Sequence, residues 1–303
     1  NMIVSSADLS NSDKTDGFIK GGASVISRDN FAGGFLQAGV AELTMACMCI
    51  GMYLHGGVIP ACGTFFVFSD YMKPAVRMAA LMELPVKFIW THDAFRVGED
   101  GPTHEPVEQE AQIRLMEKLK NHHGKPSVLV LRPADAKETT EAWKLAMENM
   151  STPTALIFSR QGIANLPEGN DYSLAAKGGY IVGGSDENPD IILVATGSEV
   201  STLVAGAELL RKEGVKVRIV SVPSEGLFRL QSKEYQLSVL PHDVKKFGLT
   251  AGLPVNLLGL VPEAEGNIWG LESFGFSAPY KVLDEKLGYT SENVYKQVKA
   301  ILG

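Results

Sequence analysis

"SVLVLRPADAKETTEAWKLAMENMSTPTALIFSRQ", residues 127–161, contains two short apolar runs separated by an amphipathic segment. The runs at 127–135 and 153–161 are each predicted to form a buried strand that ends in polar side chains, with a helix over 136–149 between them. "PVKFIWTHD" (85–93) has the pattern of a further buried strand. Strands and helices in this alternation predict a mostly parallel sheet with helices on its faces, which is an α/β fold.

The same alternation resumes later in the chain. "DIILVATGS" (190–198) predicts a strand and a turn, and the next strand is predicted at 215–224. Between them a helix is expected over 199–214, with Ser198 as its N-cap and Gly214 as its stop. We therefore expect two consecutive domains, each a mostly parallel sheet flanked by helices. The domains span residues 1–166 and 190–303, and a linker rich in Gly, Asp and Asn spans 167–189.

Composition is typical of an ordinary globular protein and argues against two classes of partner. The 303 residues carry a net charge of −7 and no cluster of Lys and Arg, so a nucleic-acid partner is not expected. The longest strongly apolar run, 43–54, is too short to span a bilayer, so no membrane partner is expected. Cys47, Cys49 and Cys62 all lie in apolar surroundings and predict reduced core thiols in a cytoplasmic protein.

Polar side chains follow the predicted strands of the first domain. His92–Asp93, Arg132 and Arg160–Gln161 come at strand ends, where ligands of α/β sheets usually bind. "THDAFRVGEDGPTHEPVEQ" (91–109) adds further acids and a second histidine on a loop that lasts until Pro106, expected as the first helical residue. Such groups can hydrogen-bond a hydroxylated substrate and move protons near neutral pH. The alternative is a solvated polar loop.

One isolated acid stands in an apolar stretch. Glu42 is the only Asp, Glu, Lys or Arg between Asp29 and Asp70, near the start of a predicted helix that ends at Gly56–Gly57. The helix N-terminus favours its ionised form and apolar surroundings favour its neutral form. A carboxyl under these two opposing effects could share a proton with a ring nitrogen of a ligand. Alternatively, it simply reaches solvent.

An aromatic stripe follows in "GTFFVFSDY" (63–71). Phe65, Phe68 and Tyr71 are spaced by three and are predicted to share one helical face, whereas Phe66 lies off it. The stripe could pack in the core, or it could form an aromatic wall for a flat heterocycle.

Together these stretches resemble one family. "GTFFVFSDYMKPAVRMAALMELPVKFIWTHDAFRVGEDGPTHEPVEQ" (63–109) is similar to transketolases, and "HD…GEDGPTH" within it is specific to that family. "SADLS", "LRPAD", "TALIFSRQ", "KGGYIV", "NPDIILVATGSEV" and "ESFGFSAP" match in the same order, so that the resemblance covers essentially all 303 residues. It implies thiamine diphosphate as cofactor, a divalent metal (Mg²⁺ or Ca²⁺), and transfer of a two-carbon ketol unit from a ketose phosphate to an aldose phosphate in the pentose phosphate pathway.

The resemblance also implies roles for individual residues, by position. Glu42 matches the glutamate that hydrogen-bonds the pyrimidine ring of the cofactor. The remaining cofactor residues implied are Phe65, Phe68 and Tyr71 around the pyrimidine and Asp8 near the cofactor and the subunit contact. The substrate residues implied are Asp100 and His104 for sugar hydroxyls and His92, Arg160 and Ser12 for the sugar phosphate. Glu42, Asp100 and His104 are the expected catalytic residues, and no metal ligand is expected in this chain.

Some positions depart from the family pattern. Ala41 and Leu43 flank Glu42 where Arg and an aromatic or His are common, and Arg96 stands where Gly is common. Arg96 is expected near the mouth of the substrate channel, where it could alter sugar-phosphate preference. No site is expected in the second domain, whose role would be packing and dimer contact.

The "GDG" motif, by which the family's first domain holds diphosphate and metal, does not occur in these residues; "EDG" (99–101) belongs to the loop described above. The expectation is a pyrimidine-binding domain plus a C-terminal domain, inactive without a diphosphate-binding domain or subunit and working in a homodimer. The abrupt start "NMIVSSADLS" favours a truncated chain over the second subunit of a split transketolase.

Two other readings stay open. The chain could belong to another thiamine diphosphate enzyme, such as a deoxyxylulose phosphate synthase or the β subunit of a 2-oxo acid dehydrogenase, although Asp100, His104 and Arg160 favour sugar phosphates. It could also be a non-catalytic scaffold, in which Glu42 and the aromatic stripe would be free to change.

Overall fold

The computed structural model describes residues 1–262 and 267–303. Two sheets organise the chain, each mostly parallel and flanked by helices, which confirms the predicted α/β class. The strands and helices are, in chain order, β1 (Met2–Ser6), α1 (Gly17–Lys20), β2 (Phe35–Gln37), α2 (Glu42–His55), β3 (Ile59–Phe65), α3 (Lys73–Leu81), β4 (Lys87–Thr91), α4 (Gln109–Lys118), β5 (Leu129–Leu131), α5 (Ala136–Glu148), β6 (Thr154–Phe158), β7 (Tyr180–Ile181), β8 (Ile191–Ala195), α6 (Glu199–Lys212), β9 (Val217–Ser221), α7 (Glu225–Arg229), α8 (Lys233–Val239), β10 (Lys245–Leu249), β11 (Ile268–Trp269), α9 (Tyr280–Leu287) and α10 (Ser291–Leu302).

The first sheet has the order β2-β1-β3-β4-β6-β5, and all its paired strands are parallel. In register, Phe65 pairs with Thr91, and Thr91 pairs with Phe158. The carboxyl ends of β3, β4 and β6 therefore lie side by side. This register brings the residues that follow the three strands to one edge of the sheet.

The second sheet has the order β11-β10-β8-β9-β7, with β7 antiparallel to β9. Its core consists of the buried apolar faces of β8, β9 and β10 packed on α6 and α10. None of the helices in the described ranges combines the length and apolar character needed to cross a membrane.

Helix α2 begins at Glu42 and ends before Gly56, as predicted. Its buried residues recur every three or four positions, and this spacing buries Cys49 but turns Cys47 to the opposite face. Cys49 and Cys62 are core thiols. The prediction that Cys47 is buried is wrong, because Cys47 is exposed.

Candidate active site

The aromatic stripe lines the carboxyl end of β3. Phe65 is the last residue of that strand, and a 3₁₀ turn over Phe66–Tyr71 follows it. Because this turn has three residues per revolution, the rings of Phe65, Phe68 and Tyr71 succeed one another with centroids 5.9 and 6.0 Å apart. The expected single helix is therefore wrong for Phe65, but the expected shared face is confirmed.

This stripe is only partly covered. Phe65 is buried, Phe68 is half-buried, and Tyr71 is 62% exposed. Phe66 points the other way, into the core against Trp90 at 5.6 Å. The stripe thus offers open aromatic surface instead of serving only as core packing.

Both histidines of the 91–109 loop meet the aromatic stripe. The His92 ring stacks on Phe65 with a centroid distance of 4.0 Å. His104 approaches edge-on, 5.3 Å from Phe68 and 6.1 Å from Phe65. The two imidazoles are twelve positions apart in sequence and both contact the aromatic stripe, so the loop folds back onto the end of β3.

His92 is held in an unusual backbone conformation. Its φ of +61° lies in the left-handed region, where a non-glycine residue is strained, and such strain is common at functional sites. Its Nδ1 lies 3.1 Å from Thr91 Oγ1. This contact fixes the ring orientation and leaves Nε2 as the atom that can meet a ligand.

Charged and titratable groups from three segments converge on His92. Burial and the nearby Arg160 lower the pKa of His92 to about 4; Asp100 raises it, and His104 and Lys14 lower it further. The ring is therefore neutral near pH 7. Arg160 and Asp100 lie at distant points of the sequence, and their joint effect places both beside the aromatic wall.

Glu42 occupies the first position of α2 and is only 8% exposed. Thr64, the residue before Phe65 on β3, donates a hydrogen bond from Oγ1 to Glu42 Oε1 at 3.4 Å. The helix N-terminus also favours a carboxylate here. The isolated acid is thus buried against Thr64, which precedes the stripe residue Phe65 on β3, and the alternative in which it simply reaches solvent is excluded.

The other two expected residues lie on the loop after β1. Asp8 is exposed with φ +64°, and Ser12 is half-buried with its hydroxyl 3.4 Å from Asn11 Oδ1. In residues 1–262 and 267–303, no hydrogen bond or ring contact joins either to the aromatic wall. Buried Asp13 holds this loop by accepting hydrogen bonds from Ser6 Oγ (2.7 Å) and Thr15 Oγ1 (2.6 Å).

Sequence reasoning missed Lys14 and Thr64. Lys14 is exposed, and its charge lowers the pKa of His92, so it adds a second cation to that of Arg160. A basic residue in a loop that leaves the sheet edge was a usable signal for Lys14. No such signal marked Thr64, because its hydrogen bond to Glu42 depends on how α2 packs on β3.

Two strand-end groups serve the domain interface instead of the site. Arg132 Nη2 donates to Asp93 Oδ2 at 2.7 Å, and Nη1 donates to Glu199 Oε2 of the second domain at 2.5 Å. Arg96 is buried and donates to Glu199 (3.2 Å) and Asp284 (2.7 Å). The expectation that Arg96 lies at a channel mouth is wrong, because its guanidinium is committed to these carboxylates.

Two helix-start expectations also need correction. Ser198 stands at the N-cap of α6, but its hydroxyl does not cap the helix; it lies 2.8 Å from Glu199 Oε1 and 3.3 Å from Asp93 Oδ2. Pro106 does not open a helix, since α4 begins at Gln109.

In the part of the chain that the structure describes, no group of three His, Cys, Asp or Glu side chains is placed to hold a metal ion.

Comparison with known families decides the assignment. Residues 1–164 match the family model for the transketolase pyrimidine-binding domain, and residues 178–290 match that for the transketolase-like C-terminal domain. The chain belongs to the transketolase family.

Individual relatives agree. The chain is 44% identical over 304 aligned residues to a transketolase of Halalkalibacterium halodurans, an alignment that covers 99% of this chain and 44% of that protein. A Pichia stipitis transketolase, solved in complex with sedoheptulose-7-phosphate, superposes with a TM-score of 0.87 at 34% identity over 99% of this chain and 43% of that one. A split-gene transketolase, described as an inactive β4 tetramer, superposes with a TM-score of 0.74 at 25% identity over 99% of this chain and 92% of that one.

Proposed function

We propose that this chain supplies the pyrimidine-binding half of a thiamine diphosphate site. The site would transfer a two-carbon ketol unit from a ketose phosphate to an aldose phosphate. The observation that carries the proposal is the buried Glu42 carboxyl, bonded to Thr64 of β3, together with the open stripe of Phe65, Phe68 and Tyr71 at the end of that strand.

The residues present fit the proposed cofactor. A flat pyrimidine ring needs apolar faces and a polar partner at its edge. The partly exposed rings of Phe68 and Tyr71 offer the faces, and the carboxyl of Glu42 offers the partner. When bound, thiamine diphosphate supplies the carbon nucleophile of this reaction. Glu42 would hold a proton on a pyrimidine ring nitrogen.

The histidine-bearing loop fits a phosphorylated sugar. His92 is neutral near pH 7, so its Nε2 can exchange hydrogen bonds with a sugar oxygen. Asp100 and His104 would contact hydroxyls. Arg160 would bind the phosphate, as a guanidinium offers paired donors for phosphate oxygens, with Ser12 assisting from the β1 loop. The Pichia stipitis relative was solved with a sugar phosphate, which supports this substrate class.

A diphosphate-binding half must complete the site. The chain spans 44% of the Halalkalibacterium halodurans relative it matches. We propose that Mg²⁺ or Ca²⁺ and the diphosphate are held by that other half, in the same polypeptide or in a partner subunit, within a homodimeric assembly. The split-gene relative, described as an inactive β4 tetramer, supports the expectation that these 303 residues alone do not turn over substrate.

Reconstitution tests the proposal. The chain, alone or with a diphosphate-binding transketolase half, is assayed with thiamine diphosphate, Mg²⁺, a ketose phosphate and an aldose phosphate. Turnover is expected only in the mixture, and Glu42→Ala should reduce kcat at least about 100-fold, as is usual for loss of a proton-handling group. Glu148→Ala, an exposed helical glutamate, is the matched control and should retain activity.

Three outcomes would contradict the proposal. No turnover in the mixture, or an unchanged rate with Glu42→Ala, would leave the scaffold alternative. Turnover with pyruvate in place of the ketose phosphate would assign the chain to a synthase or a 2-oxo acid dehydrogenase instead.

A further inference from the structure

A segment of the second domain packs on the loop that carries Asp100 and His104. We call residues 98–105 the site loop and residues 274–278 the covering segment. Ser277 Oγ donates to the backbone oxygen of Glu99 at 2.5 Å. A Cβ built on Gly101 would lie 3.0 Å from Ser277 Cβ, so the two backbones are in close contact. The site loop is therefore held from outside its own domain.

Glu105 lies at the centre of this contact. Its side chain is 2% exposed, and neither carboxylate oxygen makes a hydrogen bond of normal geometry with a described residue. A Cβ on Gly275 would lie 1.8 Å from Glu105 Oε2, so any larger residue there would require the carboxyl to move. Buried acids without partners are rare because an unpaired charge is expensive to bury. The pocket therefore suits the neutral acid.

Burial raises the pKa of Glu105 to about 7, and the backbone N–H of Phe276 offsets only part of this effect. The titratable groups on the site loop are Glu99, Asp100 and His104, and Glu272 lies just outside the covering segment. His104 directs its ring to Phe65 and Phe68 instead, and burial, not one of these charges, dominates at Glu105. The carboxyl is thus poised to change charge within the physiological pH range.

We propose that Glu105 is a positioning residue, which in its neutral form fixes the site loop under Gly275 and thereby sets the place of His104 and Asp100. Ionisation puts a charge that only the Phe276 N–H faces into this closed contact, and releases the loop from the covering segment. The second domain would then control substrate binding without supplying any of the substrate residues proposed above. The functional part of this inference rests on the proposed function, in which His104 and Asp100 contact the sugar.

Hydrogen exchange tests the positioning directly on the 303-residue chain. Amide protection in the site loop, corrected for the intrinsic pH dependence of exchange, should fall at least tenfold between pH 6 and pH 8.5. Glu105→Gln, a neutral isostere, should keep the protection at both pH values. Gly275→Ala should lower it at both, because the added methyl displaces the carboxyl. Gly51→Ala is the matched control, since a Cβ there meets nothing within 4 Å.

A site loop equally protected at both pH values, or a Glu105→Gln variant that loses protection like the wild type, would overturn the proposal. In the reconstituted mixture, Glu105→Gln should extend the kcat/KM profile to higher pH and act through KM more than kcat. Failure of the mixture to turn over would count against the proposed function alone, because the exchange measurement does not depend on activity.

Discussion

His92 combines three features that make it the most informative single residue. It has a strained backbone, a ring stacked on Phe65, and a pKa lowered to about 4 from the ordinary 6.5. The folded chain binds a proton at His92 less readily than the unfolded chain does. The stability that depends on a neutral His92 is therefore fully present above about pH 6.5, and it is lost as the pH falls through about 4. Protonation of His92 in acid should therefore lower the free energy of unfolding.

The convergence of charges on His92 gives a paired prediction. Arg160→Gln should raise the pKa of His92, because a cation is removed, and Asp100→Asn should lower it, because an anion is removed. NMR titration of the His92 ring in the 303-residue chain measures both. An exposed histidine such as His123 serves as an internal control, with no change in either variant. A His92 that titrates near 6.5, indifferent to both substitutions, would mean that these residues do not meet.

At the residue scale, the sequence singled out side chains whose chemistry was unusual in its context. The isolated Glu42 and the three-residue spacing of the aromatic stripe were both visible, and in the structure Glu42 bonds to Thr64 of β3, the strand that ends at Phe65 of the stripe. Arg132 does follow a strand, but Arg96 was misplaced, because a guanidinium suits a phosphate and a buried carboxylate equally well. The choice depended on Glu199, which approaches from the other domain.

At the scale of elements, two helix starts show what local sequence can decide. Asp135 caps α5 by accepting from Glu138 N at 2.8 Å, as its position suggests. Ser198 occupies the same place before α6, but its hydroxyl bonds to carboxylates at the domain interface. Capping preference is a local rule, and a buried charge from another domain overrides it.

The Asp135 cap predicts a measurable loss. Its carboxylate also accepts hydrogen bonds from Leu166 N (3.0 Å) and Tyr172 OH (2.7 Å), so it ties α5 to the segment that leads to the second domain. Asp135→Ala should lower the free energy of unfolding by about 2 kcal/mol or more, since a cap alone contributes about 0.5–2 kcal/mol. Asp171→Ala, which removes an exposed cap from a short 3₁₀ helix, should cost distinctly less in the same urea titration. Equal losses would show that the added partners contribute nothing.

At the scale of the whole molecule, two α/β domains are joined by a buried ion network. Arg132 and Arg96 from the first domain bind Glu199, and Arg132 also binds Asp93. Burial alone would raise the pKa of Glu199, but Arg132 lowers it below its ordinary value. Sequence alternation predicted both sheets, because the pattern is local. It could not predict this network, because bonded members such as Arg96 and Glu199 lie 103 positions apart in sequence.

This network predicts a large effect with a distinctive pH dependence. Arg132→Met leaves the carboxylates of Asp93 and Glu199 buried without their main partner, and should lower the free energy of unfolding by about 3–5 kcal/mol at pH 7. Without the guanidinium, burial raises the pKa of both carboxyls above their unfolded values. The variant's deficit should therefore shrink as the pH falls from 7 towards 5.

Arg211→Met is the matched control for this change, because Arg211 pairs with Asp186 at 3.4 Å with both side chains about one-third exposed. It should cost less than about 1 kcal/mol and show no comparable recovery in acid. Urea unfolding of both variants between pH 5 and pH 7 measures the difference. A deficit in Arg132→Met that stays constant or grows on acidification would show that its carboxylates are not buried and ionised, and that the domains are held together mainly by apolar packing.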